Sequence, residues 1–389
     1  MNVDRSPELT LLLMACTVHM STERRSQLIH FLNQHQLDWE RLYTLANRHR
    51  LTPFLYRTLQ HIPGISEPFL ATLRNDCQLS ATDNLLKLRE YHHVASLLSA
   101  QAIDHIAYKG VHLAENGYPD PGLRICGDID ILVEPKAAPG AIRLLQAQQY
   151  HLNKKHTLYW EHSNRSLLND LCEVSLFKPF FANYFDIDLH WAVVCFNKHY
   201  KSFRLGDFLS QPTFSTELQV VLLVTHHGVT NIWQHIYYVN DLYFLLKDKE
   251  IDWTWLRKEL NRYGLETVFL VGLHWCQQVW NLPLPLSIQA LIETNSIHAL
   301  AGAYEKNWEA NQSLESSSLV LKQLTFFAKA QTQFGKMIKI YLTFFTSRVF
   351  RASTFKIGGR MLYIPKELGF ITIFVRVTRS FHRFLPTRQ

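Results

Sequence analysis

Apolar positions over the first hundred residues recur at helical spacing. Leu9, Leu12, Leu13 and Cys16 share one face of a first helix, Ser21-Thr22-Glu23 opens a second that runs to about Asn33, and Asp38 caps a third carrying Trp39, Leu42 and Ala46. Thr52-Pro53 and Ser66-Glu67-Pro68 mark restarts, and residues 82–100 read as a long amphipathic helix with Leu85, Leu86, Leu88, Val94, Leu97 and Leu98. At Ile103 the period changes. Residues 103–108 suit a short strand, Lys109-Gly110 breaks it, and residues 111–116 form a short helix ended by Gly117 with Pro119 beyond. A second strand runs to Val133 and is closed by Pro135. Ala141, Ile142, Leu144 and Leu145 then mark a helix, and residues 156–161, 171–177 and 185–191 read as three further strands. Helical spacing returns over 217–225, 233–246, 254–260 and 268–279, and the Ser-rich run 313–318 reads as a loop. The expectation is an α+β protein: a small mixed sheet with flanking helices over 101–200, inserted between an N-terminal helical unit (1–100) and a C-terminal helical unit (201–333), with a tail over 334–389.

Composition adds three constraints. The chain has 389 residues, 47% of them hydrophobic and 19% charged, which fits a folded protein with a real core and argues against disorder. Its six cysteines are scattered with no Cys-x-x-Cys pair, so neither a disulfide framework nor a zinc ribbon is expected, and the reading is cytoplasmic. The run from Leu9 to Cys16 reads as a buried first helix rather than a signal segment, because Asp4 and Glu8 stand where positive charge would be needed. No apolar run reaches the roughly 18 residues of a membrane span. The net charge of +7 is concentrated at the end, where Glu367 is the single acid among many Lys and Arg after residue 333. Interleaved Phe344, Phe345, Arg348, Phe350, Arg351, Phe374, Arg376, Arg379, Phe381, Arg383 and Phe384 make this a basic amphipathic tail. It suits peripheral contact with an anionic inner-membrane surface, or else docking on the domain with its bases in water. No specific nucleic-acid signal accompanies it.

The chemistry lies in the second strand, Arg124-Ile125-Cys126-Gly127-Asp128-Ile129-Asp130-Ile131-Leu132-Val133. Two carboxylates in a run fit for a buried strand are costly unless they meet a partner, and period-2 geometry sends Asp128 and Asp130 to one face. A divalent cation is the simplest partner, and Asp128 and Asp130 are the first two candidate ligands. Nucleotidyl transfer through two such ions needs two or three carboxylates on adjacent strands and donors for a triphosphate. Lys109-Gly110 sits at a strand-to-helix turn, where a glycine lets backbone amides approach a phosphate. The third carboxylate is sought in Asp186-Ile187-Asp188-Leu189-His190-Trp191. Asp186, Asp188 and His190 share one face, and Asp188 is favoured over Asp186 because apolar residues flank it well inside the run.

Lys109-Gly110, Arg124, Gly127-Asp128-Ile129-Asp130-Ile131-Leu132-Val133 and Asp188-Leu189-His190-Trp191 resemble the uncharacterised bacterial branch of the nucleotidyltransferase superfamily, the polymerase-beta-like fold. The likeness extends to Ala46, His49, Thr52-Pro53 and Leu55-Tyr56 before the core, and to His227-Gly228, Trp233 and Asp241-Leu242 after it. It implies that Asp128, Asp130 and Asp188 are catalytic and bind two magnesium ions, and that Lys109, Gly110, Arg124 and Gly127 hold the nucleotide, with Lys109 and Arg124 on its phosphates. The implied reaction transfers NMP from an NTP, with ATP the leading candidate, to an unidentified acceptor hydroxyl or phosphate on a small molecule, peptide or protein, releasing pyrophosphate. Two features depart from the superfamily: Lys109-Gly110 replaces the usual Gly-Ser or Gly-Gly, and the interval from Gly110 to Asp128 is long.

Other readings remain open at this level. Arg124 also has Asp120 and Asp128 as possible ion-pair partners. His226-His227-Gly228 with His235 and Asp241 suggests a phosphohydrolase metal site, but the His227-to-His235 spacing fits no ligand set, so core histidines are expected. His190 reads as a satisfied buried histidine, and Trp191, Trp233 and Tyr237 as packing. A different class of function is a non-catalytic nucleotide- or partner-binding module whose tail associates with a membrane or macromolecule.

Overall fold

The computed structural model describes residues 5–16, 21–162, 167–168, 171–181, 183–193, 205–206, 215–309, 316–331, 334–349, 352–357 and 360–371. The fold is α+β. A small mixed sheet is built from β1 (His105–Ala107), β2 (Ile129–Val133), β3 (His151–Leu152), β4 (Glu173–Phe180) and β5 (Asn183–His190), in the order β1-β2-β5-β4-β3, with helices flanking it. Two compact units are present. The first draws on Met1–Ser96, Ala107–Asp130 and Phe208–Ala330, the second on Leu97–Ile106, Ile131–Asp207 and Gln331–Gln389.

In the first unit the helices begin where short polar side chains can accept the orphan N–H groups of a first turn. Ser6 accepts from Leu9 N–H at 3.2 Å, Ser21 from Arg24 N–H at 3.1 Å and Asp38 from Arg41 N–H at 3.0 Å, starting helices Pro7–Ala15, Thr22–Gln34 and Trp39–Arg48. Leu9, Leu11, Leu12 and Leu13 are buried, as their apolar side chains require. The expected helix 82–100 is the second half of a single helix, Glu67–Ala100. Thr82 does not break it, because its hydroxyl donates back to Gln78 O at 2.9 Å within the same helix.

The later helices of this unit include Thr216–Leu223, Ile236–Leu246 and Glu266–Trp280. Between the first two, residues Val224–Thr230 widen into a π-helical turn that carries the His226-His227-Gly228 run. Trp233, fully buried, lies against two glycines. A Cβ on Gly228 would stand 2.4 Å from Val268 Cγ1 and 3.1 Å from the Trp233 ring, and one on Gly272 would stand 2.9 Å from that ring. Trp233 Nε1 donates to Val268 O at 3.2 Å, and Trp308 Nε1 donates to Trp233 O at 2.8 Å.

In the second unit β4 and β5 pair antiparallel along their whole length, with Ser175 opposite Asp188 and Glu173 opposite His190. Phe185, Ile187 and Leu189 are buried while Asp186 and Asp188 are half-buried, which is the period-2 pattern of the sequence. The expected strand over 156–161 is instead part of a helix, Lys154–His162. Its Thr, Tyr and Trp favour strands, but local and tertiary contacts override that preference. Asn153 Oδ1 accepts from Lys155 N–H at 3.3 Å, His156 Nδ1 accepts from Ser175 N–H at 2.9 Å, and Tyr159 Oη donates to Ala352 O at 2.8 Å. Burial holds His156 down at about 4, with Lys155 acting in the same direction.

Beyond residue 333 the described parts are a helix, Phe334–Val349, and an antiparallel pair, β6 (Ser353–Ile357) and β7 (Arg360–Ile364). Phe350, Arg351, Phe374, Arg376, Arg379, Phe381, Arg383 and Phe384, all assigned to the basic tail, lie outside the described residues, as does the Ser-rich run up to residue 315. The rest of that run, 316–318, is not loop but the first turn of helix Ser316–Lys329. No described helix is long and apolar enough to cross a membrane. The described cysteines Cys16, Cys77, Cys126, Cys172 and Cys276 are free thiols, and Cys195 lies outside the described residues.

The packing around Trp233 sets an expected outcome. Gly228→Ala forces a methyl into Val268 and Trp233, both fully buried, and lowers unfolding stability by about 1–3 kcal/mol, read from urea denaturation midpoints at constant m value.

Candidate active site

Lys109 and Gly110 lie between β1 and the short helix Val111–Asn116. The turn is tight. Gly110 has φ +49°, a left-handed value that favours glycine, and a Cβ there would stand 2.9 Å from Asp128 O and 3.3 Å from Asp130 Oδ2. The glycine therefore lets the Lys109 turn lie directly against the acidic strand. Lys109 Nζ meets Asp130 Oδ1 at 2.5 Å, with both residues buried. Burial works against the ammonium, but Asp130, Tyr108 and Asp128 outweigh it and hold Lys109 charged, well above its ordinary range.

The loop before β2 is clamped by the long helix Glu67–Ala100. Buried Asn84 donates through Nδ2 to Pro121 O at 2.8 Å and Arg124 O at 2.7 Å, while its Oδ1 accepts from Cys126 N–H at 3.0 Å. One turn on, Lys87 Nζ donates to Cys126 O at 2.9 Å. Four backbone groups on residues 121, 124 and 126 are thus met by one helix face, which fixes where Gly127 and Asp128 emerge. Gly127 is exposed and Asp128 half-buried.

Arg124 takes neither partner considered from sequence. Its Nε and Nη2 each lie 2.8 Å from a different oxygen of Asp241, a bidentate pair with both residues buried, and Nη1 donates to Gly110 O at 3.0 Å. Its guanidinium is therefore engaged within the protein. Tyr118 Oη donates to Asp241 Oδ1 at 2.6 Å. Burial alone would raise the Asp241 carboxyl, but Arg124 and His227 override it and hold it far below the usual carboxylate range.

The His226-His227 pair links this ion pair to Lys109. Lys109 Nζ lies 3.2 Å from His226 Nε2, the two Nδ1 atoms are 2.9 Å apart, and His227 Nε2 lies 2.8 Å from Asp241 Oδ2. An ammonium only donates, so His226 Nε2 accepts and its proton sits on Nδ1. His227 Nδ1 then accepts, and His227 Nε2–H donates to the carboxylate. One arrangement with two neutral rings satisfies all three of these contacts. Burial lowers His227 to about 4, with Asp241 opposing and Arg124 and Lys109 adding to the shift. These histidines form a hydrogen-bonded bridge whose terminal groups are Lys109 and Asp241.

Among the described residues, the His, Cys, Asp and Glu atoms close enough to share a metal ion belong to Asp130, Asp188 and His190, all within 4.8 Å of one another. Asp128 and Asp186 are not in that group. Two carboxylate oxygens suit a hard divalent cation, and an imidazole nitrogen adds a donor that manganese and zinc accept more readily than magnesium. His190 Nδ1 lies 3.0 Å from Glu173 Oε2, its cross-strand neighbour. The sequence reads His190 as a satisfied buried histidine, and it is buried beside Glu173. The signal for its meeting the acids was its place on the same strand face as Asp186 and Asp188.

A neutral His227 in the folded state gives a pH dependence. The unfolded ring titrates near 6.5 and the folded one near 4, so below about pH 6.5 the unfolded chain binds the extra proton and stability falls, continuing down to about pH 4. His227 alone makes the protein about 2 kcal/mol less stable at pH 5 than at pH 7. Urea denaturation at the two pH values is expected to show that loss in the wild type, and a loss smaller by this amount in His227→Gln.

A family model described as an uncharacterised nucleotidyltransferase matches residues 35–281, more than half of the chain. No curated protein and no solved structure matches it. The matched span contains Lys109, Gly110, Arg124, Gly127, Asp128, Asp130, Asp188, His190, His226, His227 and Asp241. The chain belongs to the uncharacterised nucleotidyltransferase family.

Proposed function

We propose that the protein transfers a nucleoside monophosphate from a nucleoside triphosphate, with ATP the first to be tested, to an acceptor hydroxyl or phosphate. The acceptor oxygen attacks the α-phosphorus, the α–β anhydride bond breaks, and pyrophosphate leaves. The observation that carries this reading is the convergence of Asp130, Asp188 and His190 in a chain of this family. Asp128, Asp130 and Asp188 are the proposed catalytic and magnesium-binding carboxylates, and His190 is a further donor of that set. Divalent ions there supply charge neutralisation on the transferring phosphoryl group. Asp188 accepts the proton of an attacking hydroxyl.

Lys109 has three N–H bonds, of which one faces Asp130 and one faces His226, leaving the third for a phosphate oxygen. Gly110 and Gly127 keep backbone close to the nucleotide. Arg124 supports the site through Asp241 and the Gly110 carbonyl, so its contribution is to hold the turn in place. These fixed donors and carboxylates favour transfer by positioning and charge stabilisation.

Peripheral membrane contact is a second proposal with its own observation. On helix Phe334–Val349, Phe334, Ile338 and Leu342 are exposed at four-residue intervals beside Lys336 and Lys339.

Two outcomes are expected. Binding of magnesium nucleoside triphosphates, measured by calorimetry, is lost in Asp128→Ala with Asp130→Ala while circular dichroism is unchanged, and Asp188→Asn lowers pyrophosphate release about 100-fold or more. Equal binding by the double variant defeats the enzyme reading. Removing the chain after residue 333 weakens sedimentation with anionic liposomes at low salt, and equal sedimentation defeats the membrane proposal.

A further inference from the structure

Arg50 has two unusual features. Helix Trp39–Arg48 ends in a six-residue closure in which Leu51 N–H donates to Ala46 O at 2.8 Å, with Arg50 at φ +55°. That is the position where helices favour glycine, and any side chain there strains the backbone. Its guanidinium has no hydrogen-bond acceptor and no carboxylate among the described residues. It lies over the Tyr237 ring, with Cζ 5.1 Å from the centroid, and beside Gly127. Neighbouring arginines differ: Arg48 donates to Asn307 O at 2.8 Å, and Arg124 is bound to Asp241.

Gly127 explains where this cation points. A Cβ at position 127 would stand 3.2 Å from Arg50 Nη1 and 3.4 Å from Nη2, so the absent side chain is what allows the guanidinium to lie against the segment entering β2, one residue before Asp128. Gly127 is exposed and Arg50 half-buried, so the fork is open to a ligand. Tyr237 holds the cation by its ring face without using its donors.

From this placement we infer that Arg50 is a phosphate-binding residue of the nucleotide site, presenting its planar fork to phosphate oxygens of the nucleotide beside Asp128. Arg50 supplies a guanidinium for the phosphate role that the family resemblance implies for Arg124. The inference rests on the nucleotidyltransferase reading above. The nucleotide's negative charge and the geometric match of guanidinium to phosphate make it the fitting ligand class.

Arg50→Gly separates binding from folding, since it relieves the backbone strain while preserving the helix end. MgATP, MgGTP, MgCTP, MgUTP and magnesium pyrophosphate serve as calorimetric probes, with Arg50→Lys as the conservative variant. Arg50→Gly is expected to keep or raise the melting temperature and to weaken the best-bound triphosphate about tenfold or more, with a smaller loss in Arg50→Lys. A parallel loss with pyrophosphate assigns Arg50 to the β,γ end, and a loss confined to the triphosphate assigns it to the α-phosphate. Triphosphate binding by Arg50→Gly within about twofold of wild type overturns the inference. So does a fall in melting temperature with binding unchanged, which marks Arg50 as packing for Tyr237. If the wild type binds none of the probes, or the Asp128→Ala, Asp130→Ala variant binds them equally well, the underlying enzyme reading has failed instead.

Discussion

The buried pair of Arg124 and Asp241 is the interaction on which the described half of the site depends. Arg124 comes from the loop entering the acidic strand and Asp241 from helix Ile236–Leu246, more than a hundred residues later in the chain. Such a pair is tolerated only when its remaining donors and acceptors are met, since loss of one partner strands a buried charge at a cost of about 3–5 kcal/mol. Here they are met by Tyr118, His227 and the Gly110 carbonyl. One ion pair therefore joins the Lys109-Gly110 turn, the loop before the acidic strand and the later helices into a single network.

The histidine bridge extends that network to the lysine. Lys109 donates to a neutral His226, and the direction of every hydrogen bond on to Asp241 then follows from donor chemistry. The π-helical turn is what places two consecutive histidines for this. Gly228 allows the turn to pack against Trp233 and Val268, so the chemistry of the bridge and the packing of the later helices share one segment. Disturbing the packing there also moves His227, which links stability to site geometry.

Much of the fold was legible because its signals are local. Ser21 and Asp38 announce helices that form where they stand, and the alternation from Phe185 to Leu189 reports a strand with one apolar face. Residues 156–161 carry β-favouring side chains that read as a strand, but contacts from Ser175 and Ala352, which no local window contains, overrule them. Within the site, the density of charge in an apolar run drew attention to Asp128 and Asp130, and the Lys109-Gly110 turn was visible as a break in period. Arg50 and His190 gave weaker signals. One lies at a helix end far back in the chain, and the other resembles an ordinary strand histidine.

The sequence by itself determined the class of element at most positions, the cluster of carboxylates and the family likeness, because periodicity, capping and motif spacing are written in neighbouring residues. Only the tertiary structure decided which arginine is committed to an internal carboxylate, which histidines bridge Lys109 to Asp241, and which acids and imidazole converge. Those outcomes depend on residues from about sixty to more than a hundred positions apart meeting in a buried space, where each polar group must find a partner and the available geometry selects which one.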